Sequence, residues 1–160
     1  MRSIPISDVV SLITFTCVAV PIVIIDIRTH RIPDILSIGG FTMLVLMDVL
    51  IAPRSLPRGI LAAVLAAALF LTLRAATRGL GFGDVKLAAL VGLLVGPALL
   101  IPALLIAALG GLGFALYAII IRGRRATERI PFAPFLVAGA YGAFAARITG
   151  LEAIMYGLVR

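Results

Sequence analysis

Long apolar runs separated by short polar breaks make up nearly all of this 160-residue chain. A helix needs about 20 predominantly apolar residues to cross the hydrocarbon core of a bilayer, within a range of about 17 to 25. The runs therefore predict membrane-spanning helices. The predicted spans cover about residues 9–25, 35–51, 59–73 (extended by Ala75 and Ala76), two further spans within 85–121, and 130–148.

The run from Val85 to Ile121 has no charged residue except Lys86. A single helix of this length, rising about 1.5 Å per residue, would greatly exceed the roughly 30 Å of hydrocarbon. The chain must therefore fold back, and the segment from Gly96-Pro97 to Pro102 supplies the break. The whole pattern predicts an all-α, polytopic membrane protein with about six transmembrane helices, forming one membrane-embedded domain over residues 1–160.

The composition supports a bilayer as the solvent. Hydrophobic residues make up 62% of the chain and charged residues 13%, whereas charged residues average about 25% in globular proteins. The net charge of +7 comes from 14 Lys and Arg residues against 7 Asp and Glu residues. The basic residues cluster in the polar breaks, where they would meet the headgroups of an anionic lipid bilayer. Because no basic face is interleaved with aromatic residues, nucleic acid is not an expected partner.

The basic residues are also unequally divided between the two sides of the predicted bundle. Nine follow the first, third and fifth spans: Arg28, Arg31, Arg74, Arg78, Lys86, Arg122, Arg124, Arg125 and Arg129. Five belong to the opposite side: Arg2, Arg54, Arg58, Arg147 and Arg160. Cytoplasmic loops carry an excess of Lys and Arg. The bias therefore places the odd-numbered breaks in the cytoplasm and both termini outside it.

Few residue types remain that could support hydrolysis in such a chain. It has one cysteine, Cys17, and one histidine, His30, so neither a disulfide nor a Cys/His zinc site can form, and no metal or cofactor is predicted. A zinc-protease helix needs two histidines, and no serine stands in a Gly-x-Ser-x-Gly setting. Cys17 is interpreted as a small apolar packing residue. Two carboxylates remain as the hydrolytic candidates.

These carboxylates are Asp26, which ends the first span, and Asp84, which begins the fourth. Two spans separate them, so they lie on the same side of the membrane whichever side that is. Such a pair can activate water with one group ionised and one protonated, because like charges a few ångströms apart cannot both ionise cheaply. The alternatives are that Asp84 is a helix N-cap beside a glycine turn and that Asp26 is an interfacial charge.

The residues beside the two aspartates have more than one interpretation. Gly81 and Gly83 would let a substrate backbone approach, or would adopt positive φ. Arg28 and Lys86 each stand two positions from an aspartate. Helical residues at that spacing do not face one another, so both are interpreted as lipid-headgroup anchors.

Three other features are interpreted structurally. Asp34, after Pro33, most resembles the N-cap of the second span, with catalysis as its less favoured role. Asp48 lies near the far end of that span, on the wrong side for catalysis, and is interpreted as an interfacial charge. Phe132 and Phe135 are interpreted as packing residues rather than as substrate-recognition residues.

Three segments, taken together, match one family in order, spacing and position relative to the spans. They are Asp26-Ile27-Arg28 followed by Ile32-Pro33-Asp34, then Gly81-Phe82-Gly83-Asp84-Val85-Lys86, and then Ile130-Pro131-Phe132-Ala133-Pro134-Phe135. They resemble the type IV prepilin peptidases, which are membrane aspartyl proteases of the Gly-x-Gly-Asp kind. Gly-x-Gly-Asp alone would be a weak signal, and the combination is specific.

The resemblance implies that Asp26 and Asp84 are the catalytic aspartates of a peptidase domain in the cytoplasmic (inner) membrane, cleaving on the cytoplasmic side. The substrates would be prepilin or pseudopilin precursors with a short basic leader, cut after a glycine ahead of their hydrophobic helix. The remaining motif residues would bind substrate or support the motif; they are Gly81, Gly83, Lys86, Arg28, Pro33, Asp34, Pro131 and Phe132.

Two features depart from the family pattern. The third segment has Ala133 where the family usually carries glycine. Longer relatives carry an N-terminal cytoplasmic part with paired cysteines and methylate the new N-terminus, whereas this chain starts at its first span. Methyltransferase activity is therefore not expected. The short form resembles the enzymes that serve Flp-type pili and the archaeal preflagellin peptidases.

Two other functions stay open on the sequence. A small transporter would use the aspartates for ion or proton coupling and would need a polar lane through the middle of its spans, whereas the carboxylates stand at the edges. A non-catalytic partner in pilus assembly would bind a precursor without cleaving it. The sequence predicts no oligomeric state.

Overall fold

The computed structural model describes residues 5–77, 80–123 and 130–149. Within those ranges the chain forms helices and no strand, which confirms the all-α class: α1 (Ile6–Thr29), α2 (Asp34–Ile51), α3 (Leu56–Ala76), α4 (Phe82–Ile120) and α5 (Ala133–Ile148). Helices α1 to α4 are long and apolar enough to cross a membrane, and α5 is a shorter apolar helix of 16 residues. Predictions that concern Arg2, Arg78, residues 124–129 and residues 151–160 lie outside the described ranges.

The long apolar run folds back inside α4, as its length predicts. Gly96 has φ of 72° and ψ of 173°, far from helical values, in a region that glycine adopts at little cost. Phe70, near the end of α3, and Gly111 of α4 both contact the ring of Phe132. By residue 111 the chain has therefore returned to the end of the bundle from which α4 started.

Arg147 of α5 stabilises this reversal. Carbonyl groups in the last turn before a helix break have no intrahelical donor. The Arg147 guanidinium donates a hydrogen bond to the Val95 carbonyl, directly before the break. It also lies 3.9 Å from the Asp8 carboxylate of α1. One side chain thus ties α5 and α1 to the point where α4 turns back.

Helix α4 forms the centre of the bundle because small residues let its neighbours approach closely. Its first segment, residues 82–95, packs against α3, where Gly92 faces the backbone of Ala62. Its second segment, residues 97–120, packs against α5, where Gly139 faces the backbone of Ala103. Close approach through Gly and Ala is a general device of membrane helices. The alanine-rich α3 fulfils the packing role that its composition predicts.

We expect Gly92→Ala to destabilise the folded protein. A Cβ atom at this position would lie 2.6 Å from the Ala62 carbonyl oxygen and 2.9 Å from the Ala63 Cα. Backbone atoms cannot yield without separating α3 from α4, and overpacking of this kind costs about 1–3 kcal/mol. The measurement is unfolding in detergent, followed by circular dichroism. Gly113→Ala is the matched control because no atom lies within 4 Å of its added Cβ; equal stability of both variants would contradict this packing.

Helix α1 differs from its predicted form at two places. It continues to Thr29 rather than ending near Ile25, so Asp26 lies within its last turn and not in the polar break. His30 ends the helix with a left-handed φ of 51°, and its N–H donates to the Asp26 carbonyl at 2.8 Å. The structure leaves Cys17 exposed, so the interpretation of Cys17 as a packing residue is wrong.

Candidate active site

One end of the helical bundle carries both candidate aspartates, as the span count predicts. Asp26 lies in the last turn of α1 and Asp84 in the first turn of α4. In the chain order, α2 and α3 come between these two helices. The loop that follows α1 reaches α4 beside Asp84, because Ile32 packs on Gly83. We call this end of the bundle, where α1 and α3 end and α2, α4 and α5 begin, the aspartate end.

Asp26 is buried and is held by the start of α5. Asp26 is only 5% exposed. The backbone N–H of Ala133, 107 residues later in the chain, donates to its Oδ2 at 3.1 Å. The first N–H groups of a helix have no intrahelical acceptor, and the helix dipole favours a negative charge there. The Ile130–Phe135 segment therefore contributes a backbone donor to the site.

The backbone donor also explains why alanine is tolerated where the family usually has glycine. Any residue except proline supplies an N–H at position 133. Ala133 is fully buried, so the position requires a small side chain rather than glycine in particular. The departure from the family pattern at this position leaves the hydrogen bond to Asp26 in place.

Asp84 occupies the third position of α4, and its Oδ2 accepts the backbone N–H of Gly81 at 3.0 Å. A carboxylate in the first turn that binds back to the N–H before the helix is a capping interaction. The interpretation of Asp84 as the N-cap is therefore wrong in position: Gly81 is the N-cap residue, and Asp84 caps the start of the helix from its third position. Capping and catalysis are compatible, because the carboxylate has a second oxygen.

The structure contradicts a positive φ at the two glycines of the motif, whereas the approach of a substrate backbone to them stays a prediction. Gly81 has φ of −76°, and positive φ among the described glycines occurs at Gly96 and Gly123 instead. A Cβ atom on Gly83 would lie 2.6 Å from the Cβ of Ile32. Gly83 thus lets the loop between α1 and α2 pack directly on the first turn of α4, beside Asp84.

Lys86 and Asp34 form an ion pair, with Nζ 2.6 Å from Oδ1. The structure therefore corrects two interpretations. Lys86 is the ion-pair partner of Asp34 and not only a headgroup anchor. The N-cap of α2 is Pro33 and not Asp34. Lys86 and Arg74 also flank the ring of Phe82, at 5.3 and 5.5 Å from its centroid. The ion pair joins the start of α2 to the first turn of α4.

The remaining predicted site residues have supporting positions. The Pro33 carbonyl accepts the hydroxyl of buried Ser37 at 2.9 Å, and Pro131 lies half-buried before α5. The Phe132 ring packs against those of Phe70 and Phe135, at 6.2 and 6.3 Å between centroids, so its packing role is confirmed. Arg28 is exposed in the last turn of α1, where a cation complements the helix dipole.

The opposite end of the bundle carries a second polar group. A cavity of about 690 Å³ lies there, and its lining includes Asp8, Ser11, Asp48 and Arg147. Ser11 donates to Asp48 at 3.2 Å. Asp48 is therefore far from the aspartate end, as predicted. Within the described ranges, no three His, Cys, Asp or Glu side chains form a group that could hold a metal ion.

The fold and the site together define a class of protein, a helical membrane protein that holds carboxylates from two helices at one end of its bundle. The family model of the type IV leader peptidases matches residues 13–116. The chain belongs to the type IV leader peptidase family, which confirms the resemblance of its motifs to the prepilin peptidases. The match includes Asp26 and Asp84 and ends before the Ile130–Phe135 segment. No curated protein and no solved structure matches the chain.

Proposed function

We propose that the protein is an aspartyl endopeptidase that removes the basic leader from prepilin or pseudopilin precursors in pilus biogenesis or secretion. The observation that carries the proposal is the placement of Asp26 and Asp84 at one end of the bundle on different helices. Each carboxylate accepts a backbone N–H, from Ala133 and Gly81 respectively. The ion pairs seen among the described residues involve neither of them.

This arrangement suits the activation of water. Two carboxylates held close together can share one proton, because both cannot ionise cheaply. The ionised group takes a proton from water while the water oxygen attacks the scissile carbonyl carbon. The protonated group donates its proton to the carbonyl oxygen. The tetrahedral intermediate then collapses, the C–N bond breaks, and the leaving amine takes a proton. Because the pair titrates as a unit, neither aspartate is assigned a fixed role.

We further propose that the site faces the cytoplasm from the inner membrane, with six spans and both termini outside. The support is the excess of basic residues at the aspartate end, which includes Arg28, Arg31 and Lys86. Positive residues favour the cytoplasmic side. The fold-back at Gly96 supports two crossings for α4, which would give six together with α1, α2, α3 and α5.

Cysteine labelling tests this orientation. In a Cys17→Ser background, we expect Ser55→Cys to react with a membrane-impermeant maleimide in intact spheroplasts. Arg31→Cys, at the aspartate end, should react only after permeabilisation. Both positions are exposed, so differences in labelling report the side of the membrane. The reverse pattern would contradict a cytoplasmic site.

A transporter is less well supported, because it needs a polar lane through the bundle. The segment of α4 between the two polar ends is instead lined by buried apolar side chains, among them Leu87, Leu90 and Val91. A non-catalytic assembly partner differs from a peptidase only in the chemical step. It would bind a precursor without shortening it.

The deciding experiment for the proposed function is a cleavage assay. Membranes or purified protein are incubated with a matched prepilin that carries a short basic leader, and the products are analysed by mass spectrometry. We expect one cut, after the glycine that precedes the hydrophobic helix of the precursor. An intact precursor after incubation with folded protein would contradict the proposal, and binding without cleavage would favour the assembly partner.

A further inference from the structure

The charges at the aspartate end pose a problem for a basic leader. The described basic residues there are Arg28, Arg31, Arg74, Lys86 and Arg122, and the described acidic residues are Asp26, Asp34 and Asp84. A cationic leader approaching this end meets mostly like charge. If Asp26 and Asp84 are occupied with water and the scissile bond, Asp34 is the described carboxylate that remains to attract the leader.

Asp34 is placed where a second chain can reach it. Its side chain is 70% exposed, and Lys86, which is 23% exposed, contacts its Oδ1. A carboxylate has two oxygens and can accept several hydrogen bonds. Exposed ion pairs are also weak, so the contact with Lys86 leaves the carboxylate able to bind another cation.

Asp34 is also next to the candidate catalytic pair. Ile32, two residues before it, packs on Gly83, and Gly83 directly precedes Asp84. Lys86 follows Asp84 by two residues and forms the ion pair with Asp34. A peptide whose scissile bond lies at Asp84 would therefore have nearby residues within reach of Asp34.

We infer that Asp34 binds a basic side chain of the leader and is a specificity-determining residue for precursors with cationic leaders. The leader cation binds the solvent-facing part of the Asp34 carboxylate, while Lys86 contacts Oδ1 of the same carboxylate. This inference rests on the proposed function. Its competitor is a purely structural Asp34 that serves only as the partner of Lys86.

The test compares two precursors on three enzymes. One precursor has its natural basic leader, and in the other the leader Lys and Arg residues are replaced by Gln. The quantity measured is the ratio of kcat/KM between the two precursors, for wild type, Asp34→Asn and Lys86→Met. We expect the wild type to prefer the basic leader by about two- to fivefold, as for one exposed ion pair. The ratio should fall to about one in Asp34→Asn and persist in Lys86→Met.

The outcomes separate the competing explanations. A ratio that persists in Asp34→Asn, or one that is lost equally in both variants, would overturn the inference, because the ion pair alone would then account for the effect. If wild type cleaves neither precursor, the proposed function itself fails, and the inference fails with it. If Asp34→Asn loses all activity, the charge-swapped variant Asp34→Lys/Lys86→Asp is tested instead, because it retains the ion pair. That variant should prefer a leader with Glu in place of Lys, and an unchanged preference would refute the assignment.

Discussion

Asp26→Asn and Asp84→Asn are each expected to lower the rate of prepilin cleavage by at least about 10³-fold while leaving the protein folded. General acid–base catalysis by one positioned group contributes about 10²–10⁴-fold, and the proposed mechanism uses both groups in the same step. Asparagine has the shape of aspartate and cannot exchange the proton. Its carbonyl oxygen can still accept the N–H of Ala133 at position 26 or of Gly81 at position 84. The measurement is the initial cleavage rate, with unfolding in detergent as the check on structure.

Asp48→Asn is the matched control for these variants. Asp48 is half-buried like Asp84 and has one described hydrogen bond, from Ser11 at 3.2 Å, but it lies at the opposite end of the bundle. We expect its rate to stay within about threefold of wild type, because the weakened hydrogen bond lowers the stability of the fold by about 1 kcal/mol and does not touch the reacting atoms. Wild-type rates in Asp26→Asn or Asp84→Asn would end the aspartyl mechanism. Equal losses in all three variants would indicate a general effect on folding.

The sequence predicts the spans and the common side of Asp26 and Asp84 because both depend on local patterns. Helices α1 to α4 are each long and apolar enough to cross the hydrocarbon, and the number of crossings between two residues decides their side. The fold-back at Gly96 follows in the same way, because no membrane could hold the run as one straight helix. These predictions need no knowledge of which helices touch.

The contacts that hold the aspartates depend on tertiary packing and leave weaker signals. The bond from Ala133 to Asp26 joins residues 107 apart, and its donor is a backbone group that every residue but proline carries. The spacing of Lys86 from Asp84 argues against an ion pair within α4, but it says nothing about Asp34 on another helix. A glycine in a sequence indicates either unusual backbone geometry or a position without room for a side chain. Only the structure shows that Gly83 is of the second kind, because Ile32 occupies the space that a Cβ would need.

Gly83→Ala is therefore expected to lower the rate of cleavage by about tenfold to a hundredfold, with a smaller effect on stability. The added Cβ would meet the Cβ of Ile32 at 2.6 Å and its Cγ1 at 3.1 Å. The loop between α1 and α2 must then move off the first turn of α4. Asp84 is the next residue, so its carboxylate would shift relative to Asp26, and a misplacement of about 1 Å can cost about a hundredfold in rate.

A second substitution distinguishes this explanation from a general intolerance of the motif. Ile32→Gly removes every side-chain atom that the new Cβ would meet at close range, so the double variant Gly83→Ala/Ile32→Gly should recover part of the lost rate. Gly39→Ala, whose Cβ would meet no atom within 4 Å, controls for the change from glycine to alanine in a helix and should retain the wild-type rate. Recovery in the double variant would show that Gly83 acts through the space it leaves for Ile32. A loss that persists unchanged would mean that the substrate itself requires glycine at position 83, which is the role that the sequence first suggests.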